Sequence, residues 1–111
     1  MANKRQLKKQ IRYICGDVAA ECALAKYLID GVNREAMNEA LREIAALQEA
    51  SLSKVNVNFD KVPRDFESKH AYKEAKKEFI NKAFASIRDE FSKGLQEIVN
   101  KMNSALPKKE D

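Results

Sequence analysis

Two cysteines, Cys15 and Cys22, are the residues of this sequence best suited to nucleophilic or redox chemistry. They are seven positions apart, which on a helix is two turns or about 10 Å along the axis. That separation exceeds disulfide reach between α-carbons, and it is too large for two thiolates to share one zinc ion. A reactive thiol would also need a basic neighbour that lowers its pKa, and the sequence offers none on that side. We therefore expect both to be reduced thiols that pack as small apolar residues.

Two pairs of residues could bind a metal ion. Asp17 and Glu21 are four positions apart, so their carboxylates are neighbours on a helix and could serve acid–base or metal chemistry. The commoner role of such a pair, which we predict, is to accept hydrogen bonds from basic residues of a facing helix. Glu67 and His70 have the Glu-x-x-His spacing of carboxylate-bridged di-iron bundles, but His70 is the single histidine of the chain. Only a symmetric dimer could double the motif, so we expect no metal and no cofactor.

Basic residues form two clusters that could contact phosphate groups. The first cluster is Lys4, Arg5, Lys8, Lys9 and Arg12, and the second is Lys69, His70, Lys73, Lys76, Lys77 and Lys82. Glu74 and Glu78 interrupt the second cluster, no set of stacking aromatic residues lies beside it, and the helices are too long for a helix-turn-helix. Solvated helix surface is therefore the expected role of both clusters, and nucleic-acid binding through the basic N-terminus is the alternative.

No motif of an enzyme is present. The sequence has no Gly-rich phosphate loop, no nucleophile elbow and no histidine beside a candidate nucleophile. It also has no secretory signal pattern and no apolar run of membrane-spanning length. We therefore expect a non-enzymatic, cytoplasmic protein that does not enter membranes.

The composition favours one helical domain. The chain has 111 residues, 44% of them hydrophobic, with only three glycines and two prolines to supply turns. The net charge of +4 is small beside the 21 basic and 17 acidic residues, which indicates a well-solvated surface.

Periodicity and capping signals predict helices over 4–30, 34–54 and 66–105, a loop over 55–65 and a charged tail over 107–111. Asn3, Asn33 and Asp65 are the expected N-caps, and Gly31 is the expected end of the first helix. The short connection at Gly31 makes the first two helices antiparallel neighbours, so the chain should form an all-α, antiparallel up-down-up three-helix bundle. The apolar stripe of the long third helix drifts, so this helix should bend near His70 or Gly94, or its ends should pack on different subunits.

The first helix has two apolar sides, whereas a surface helix ordinarily has one. We predict that one side builds the core of the subunit and that the other, with small residues framed by larger ones, is the surface of a homodimer. The core side consists of Leu7, Ile11, Ile14, Cys15, Val18, Cys22, Ala25 and Ile29. The predicted dimer side consists of Tyr13, Gly16, Ala20, Ala23, Leu24 and Tyr27.

The opening NKRQLKKQIRYICGDVAAEC resembles that of a group of short, functionally unassigned bacterial proteins. The shared features are the basic start Asn3 to Arg5, the segment Ile14 to Asp17, and Glu21 with Cys22. The resemblance covers the first quarter of the chain, implies a small helical cytoplasmic protein and brings no catalytic residues with it.

These observations together predict a non-enzymatic interaction or self-assembly module. A nucleic-acid-associated accessory protein that uses the basic N-terminus is the second hypothesis. A metal-binding helical bundle is the third.

Overall fold

Three α-helices and one 3₁₀ turn make up the ordered elements of the computed structural model, which describes residues 3–107. The helices are α1 (Lys4–Leu28), α2 (Arg34–Lys54) and α3 (Lys69–Ala105), and the 3₁₀ turn spans Pro63–Asp65. The predicted all-α, antiparallel up-down-up three-helix bundle is confirmed. Of the predicted charged tail over 107–111, only Pro107 lies within the described residues.

Local capping chemistry fixes the ends of the first two helices. The side-chain oxygen of Asn3 accepts a hydrogen bond from the Arg5 amide at 2.9 Å, and that of Asn33 accepts one from the Ala36 amide at 3.1 Å. Between the helices, Gly31 has a φ of +84°, a conformation that glycine adopts without steric cost. Both predicted helix starts are therefore confirmed, while α1 ends at Leu28, two residues earlier than predicted.

The core lies between the three helices, with α2 packed extensively against both α1 and α3, whereas α1 and α3 touch each other over a much smaller surface. The molecule is elongated, 67 × 23 × 18 Å with a radius of gyration of 19.2 Å, because α3 is much longer than the other two helices. A compact domain of this length would have a radius near ~13 Å. Buried apolar residues from all three helices fill the core: Leu7, Ile11, Cys15, Cys22, Met37, Ala40, Ile44, Val55, Phe84, Ile87, Phe91, Ile98, Met102 and Ala105.

Two residues of the predicted core stripe are largely outside it. Ile14 is 40% exposed and Ile29 is 38% exposed. Because α1 packs chiefly on one helix, its buried stripe is narrow and Ile14 lies at its edge. Ile29 follows the last helical residue with extended backbone angles, so its side chain leaves the helical register.

The third helix is continuous, and it begins later than predicted. It runs without interruption from Lys69 through Gly94 to Ala105. Its N-cap is Ser68, whose hydroxyl accepts a hydrogen bond from the Ala71 amide at 3.1 Å. The predicted cap Asp65 instead accepts a hydrogen bond from the Val62 amide at 3.1 Å and so closes the 3₁₀ turn.

The length of α3 is explained by a second packing centre beyond the end of α2. At one end of α2, the Asn33 amide donates a hydrogen bond to the Ala105 carbonyl at 2.8 Å, and at the other end Lys54 Nζ lies 2.6 Å from a Glu90 carboxylate oxygen. The second helix therefore lies alongside only the C-terminal part of α3. Roughly the first four turns of α3 therefore extend past α2. The loop before α3 folds back over this extension through an aromatic cluster, in which the Phe59 ring lies 5.4 to 6.1 Å from the rings of Phe66, Tyr72 and Phe79.

Candidate interaction surface on the first helix

Both thiols lie in the core, as predicted. Cys15 is 1% exposed and Cys22 is fully buried, with its Sγ 3.2 Å from the carbonyl oxygen of Met37. Burial raises the pKa of each thiol above its ordinary value, and the charge of Lys26 offsets part of this rise in the pKa of Cys22. A raised pKa disfavours the thiolate, which is the form that attacks electrophiles and binds metals.

The predicted pairing of Asp17 and Glu21 with basic residues of a facing helix is wrong for the single chain. Both side chains are exposed, and neither forms an ion pair with any residue of the range 3–107. The physical reason is that both residues lie outside the buried stripe of α1, so their side chains are directed to solvent and not at the helices that pack on that stripe.

The four candidate metal ligands are not brought together. His70 lies in the first turn of α3, and Glu67 precedes the cap of that helix, so the two do not share one helical face. Asp17 and Glu21 lie on α1, roughly 40 Å away along the axis of the bundle. Over residues 3–107, no group of three or more histidine, cysteine, aspartate or glutamate side chains is arranged to hold a metal ion.

The two basic clusters differ in their surroundings. In the first, Arg5, Lys9 and Arg12 line a shallow surface depression together with Tyr13, and Lys9 Nζ lies 5.8 Å from the centre of the Tyr13 ring. In the second, Lys82 pairs with Glu78 at 3.2 Å, so part of its charge is neutralised. The remaining residues of both clusters are exposed apart from Lys8, which is half-buried.

The side of α1 opposite the core carries large apolar side chains that contact solvent. Tyr13 is 63% exposed, Leu24 is 58% exposed and Tyr27 is 74% exposed. Leu28, which is not among the residues predicted for the dimer side, is 74% exposed and extends the same surface by one turn beyond Leu24. Its position four residues after Leu24 was the signal that could have identified it. The outer face of α1, as we name this surface, comprises Tyr13, Gly16, Ala20, Ala23, Leu24, Tyr27 and Leu28.

The middle of the outer face is open. Among the described residues, none outside the neighbouring backbone of α1 would lie within 4 Å of a β-carbon built at Gly16, and Ala20 beside it is exposed, so the surface between Tyr13 and Tyr27 is formed by small residues and is open to solvent. No contact within the described part of the chain requires glycine at this position, although glycine costs a helix about 1 kcal/mol relative to alanine.

Charge is distributed unequally along α1. The stretch 4–16 holds the five basic residues of the first cluster and no acid, whereas 17–30 holds Asp17, Glu21 and Asp30 against Lys26. Across the part of the chain that the structure describes, Arg12 and Asp30 form no ion pair. The two halves of the helix therefore present opposite net charges to solvent.

No family model, no curated protein and no solved structure matches this chain. The resemblance of its opening to short bacterial proteins therefore stays a prediction. Among the described helices, none has the length and apolarity that crossing a membrane requires.

Proposed function

We propose that the protein is a non-enzymatic helical module that self-associates, and that the outer face of α1 is its contact surface. One observation carries this proposal. Tyr13, Leu24 and Tyr27 are each more than half exposed on a helix whose opposite side is already buried against α2. Soluble monomers seldom expose contiguous apolar patches without a partner that covers them.

The chemistry of the surface fits a protein contact better than a catalytic site. Tyrosine and leucine supply contact area, and tyrosine is enriched at interfaces because its ring is apolar while its hydroxyl remains solvated. The two thiols are buried and held in their protonated form, so neither serves as a nucleophile in this proposal. Unpaired cysteines also suit a reducing compartment, and on that basis we propose a cytoplasmic location.

Sedimentation velocity at tens of micromolar tests the proposal. The wild-type chain should sediment as a dimer, and Leu24→Glu should shift it to monomer because the new carboxylate would be desolvated at the centre of the contact. Ala46→Glu is the matched control, since Ala46 is an exposed residue of α2 and the change in charge is the same. A wild-type chain that remains monomeric throughout this concentration range would refute the proposal.

The depression around Tyr13 supports a second candidate function, in nucleic-acid binding. Arg5, Lys9 and Arg12 surround one exposed aromatic ring there, an arrangement suited to a phosphate and a stacked base. Gel shifts with single-stranded and duplex DNA at two salt concentrations distinguish the two functions. Salt-dependent binding that is lost in Arg12→Glu but retained in Leu24→Glu would support this second function, because the two variants separate charge from apolar contact.

A further inference from the structure

The outer face of α1 is complementary to itself when the helix is reversed. Gly16 and Leu24 lie four positions on either side of Ala20, about 6 Å along the axis in each direction. Tyr13 and Tyr27 lie seven positions on either side, about 10 Å away. A twofold axis at Ala20 therefore places the exposed Leu24 of one copy over the open surface at Gly16 of the other, and Tyr13 beside Tyr27.

The geometry of helix packing makes this contact specific. The four residues Tyr13, Gly16, Asp17 and Ala20 have the spacing of a hole that receives one side chain of a facing helix. Because Gly16 has no side chain and none of residues 3–107 would block a β-carbon there within 4 Å, that position is open to receive Leu24, which is 58% exposed.

The distribution of charge along α1 independently favours an antiparallel pair. In an antiparallel pair the basic half of each α1 lies against the other half of the second copy, where Asp17, Glu21 and Asp30 outnumber Lys26. The depression lined by Arg5, Lys9 and Arg12 then faces the C-terminal end of the second α1, which carries a partial negative charge. A parallel pair would instead bring the five basic residues of both copies together.

We propose that the occupant of the outer face is a second copy of this chain, bound antiparallel about a twofold axis at Ala20. This inference rests on the proposed self-association and adds its orientation and register. The residues that specify it are Leu24 and Gly16 at the centre and Arg12 and Asp30 at the ends.

Cysteine cross-linking between two variants tests the orientation. Tyr13→Cys and Tyr27→Cys chains of different mass, one carrying a terminal tag, are mixed and oxidised briefly. In the antiparallel arrangement the mixed disulfide should form in several-fold excess over either homodisulfide, because position 13 of one copy meets position 27 of the other. The wild-type chain is the control for the native thiols, which are buried, and Ala46→Cys is the control for random collision.

Each outcome of this experiment decides something. Predominant homodisulfides would show a parallel pair, overturning the orientation while retaining self-association. Cross-linking no greater than that of Ala46→Cys, with a dimer still present in sedimentation, would place the contact elsewhere and overturn the inference. The same cross-linking result with a monomer in sedimentation of the wild-type chain would overturn the proposed function as well.

Charge reversal provides a second arm in case loss of a tyrosine weakens the dimer. Arg12→Glu and Asp30→Arg should each weaken self-association by a few-fold, because each places like charges together at the ends of the contact. An equimolar mixture of the two variants should restore it, since each heterodimer has opposite charges at both of its ends. Failure of the mixture to associate more tightly than either variant alone would contradict the antiparallel orientation.

Discussion

Gly94 lies so close to Leu47 that a β-carbon built at Gly94 would be 2.9 Å from Leu47 Cδ1 and 3.5 Å from Leu47 Cδ2. Of the three glycines, Gly94 is the one at which an added β-carbon would lie less than 3.0 Å from another atom. The Leu47 side chain fills the space that any larger residue at position 94 would need, so the pair sets the separation of the two helices at that level.

Substitution at Gly94 should therefore combine a gain in helix propensity with a steric clash against Leu47. Gly94→Ala should be close to neutral, because a gain in helix propensity of up to about 1 kcal/mol is offset by displacement of a leucine methyl group. Gly94→Leu should lower the free energy of unfolding by about 1 to 3 kcal/mol through overpacking. Urea unfolding measures both, and the double variant Gly94→Leu/Leu47→Ala should recover part of the loss. A Gly94→Leu chain as stable as the wild type would contradict the close packing.

Substitution of Gly16 should not cause a clash within the monomer, because the surroundings of Gly16 are open. Gly16→Ala should raise the free energy of unfolding of the monomer by about 0.5 to 1 kcal/mol. Urea unfolding at protein concentrations below the dissociation constant of the dimer measures this change. Gly16→Leu should preserve helicity and the thermal transition of the monomer yet abolish dimerisation, since the new side chain occupies the open position that receives Leu24 in the proposed dimer. If Gly16→Leu sediments as a dimer as stable as the wild type, Gly16 is not at the contact.

The elements that local chemistry determines could be predicted from the sequence. Asn3 and Asn33 cap helices through hydrogen bonds to amides two or three residues away, and Gly31 supplies a positive φ, so each signal is complete within a few residues. The start of α3 could not be predicted in this way. Phe66 was assigned to the helix because its neighbours favour helix, but its ring packs 6.1 Å from that of Phe59 in the preceding loop, and this tertiary contact holds it outside.

The residues of the outer face could be predicted from the sequence, but whether another helix covers them could not. Helical periodicity alone places Tyr13, Leu24 and Tyr27 on one side of α1. Whether that side is covered depends on where α3 lies, and no pattern within α1 contains this information. The structure places α3 against α2 and leaves the outer face exposed. Asp17 and Glu21 also lie outside the buried stripe of α1, which is why no helix of the described chain supplies the basic partners predicted for them.

The aromatic cluster should be a local folding unit that can be loosened separately from the bundle. Phe59 contacts the rings of Phe66, Tyr72 and Phe79, and each such pair contributes about 0.5 to 1.5 kcal/mol. Phe59→Ala should therefore speed amide hydrogen exchange in the first turns of α3 by tenfold or more, with little change at residues packed on α2. Lys61→Ala, an exposed change in the same loop, is the control. Uniformly faster exchange along all of α3 would show that the extension does not open separately.

The buried thiols predict a loss of stability at alkaline pH. Burial raises the pKa of Cys15 and Cys22 in the folded chain above the ordinary value of 9.0, to which unfolding returns them. Below pH 9 both states are protonated and the full stability is present. As the pH rises above 9, the unfolded state releases protons that the folded state retains, so the free energy of unfolding falls by at most about 1.4 kcal/mol per pH unit for each thiol.

Urea unfolding between pH 8 and pH 10 measures this slope, and the double variant Cys15→Ala/Cys22→Ala is the comparison. The pKa of Lys101 is also raised, by its hydrogen bond to Glu43, but its contribution is lost only as the pH rises beyond 10.5, above the range used. The variant should be less stable than the wild type at pH 8, because two core side chains are shortened, yet its stability should depend less on pH. Equal slopes for the two chains would mean that the thiols titrate in the folded state as readily as in the unfolded one, which their burial argues against.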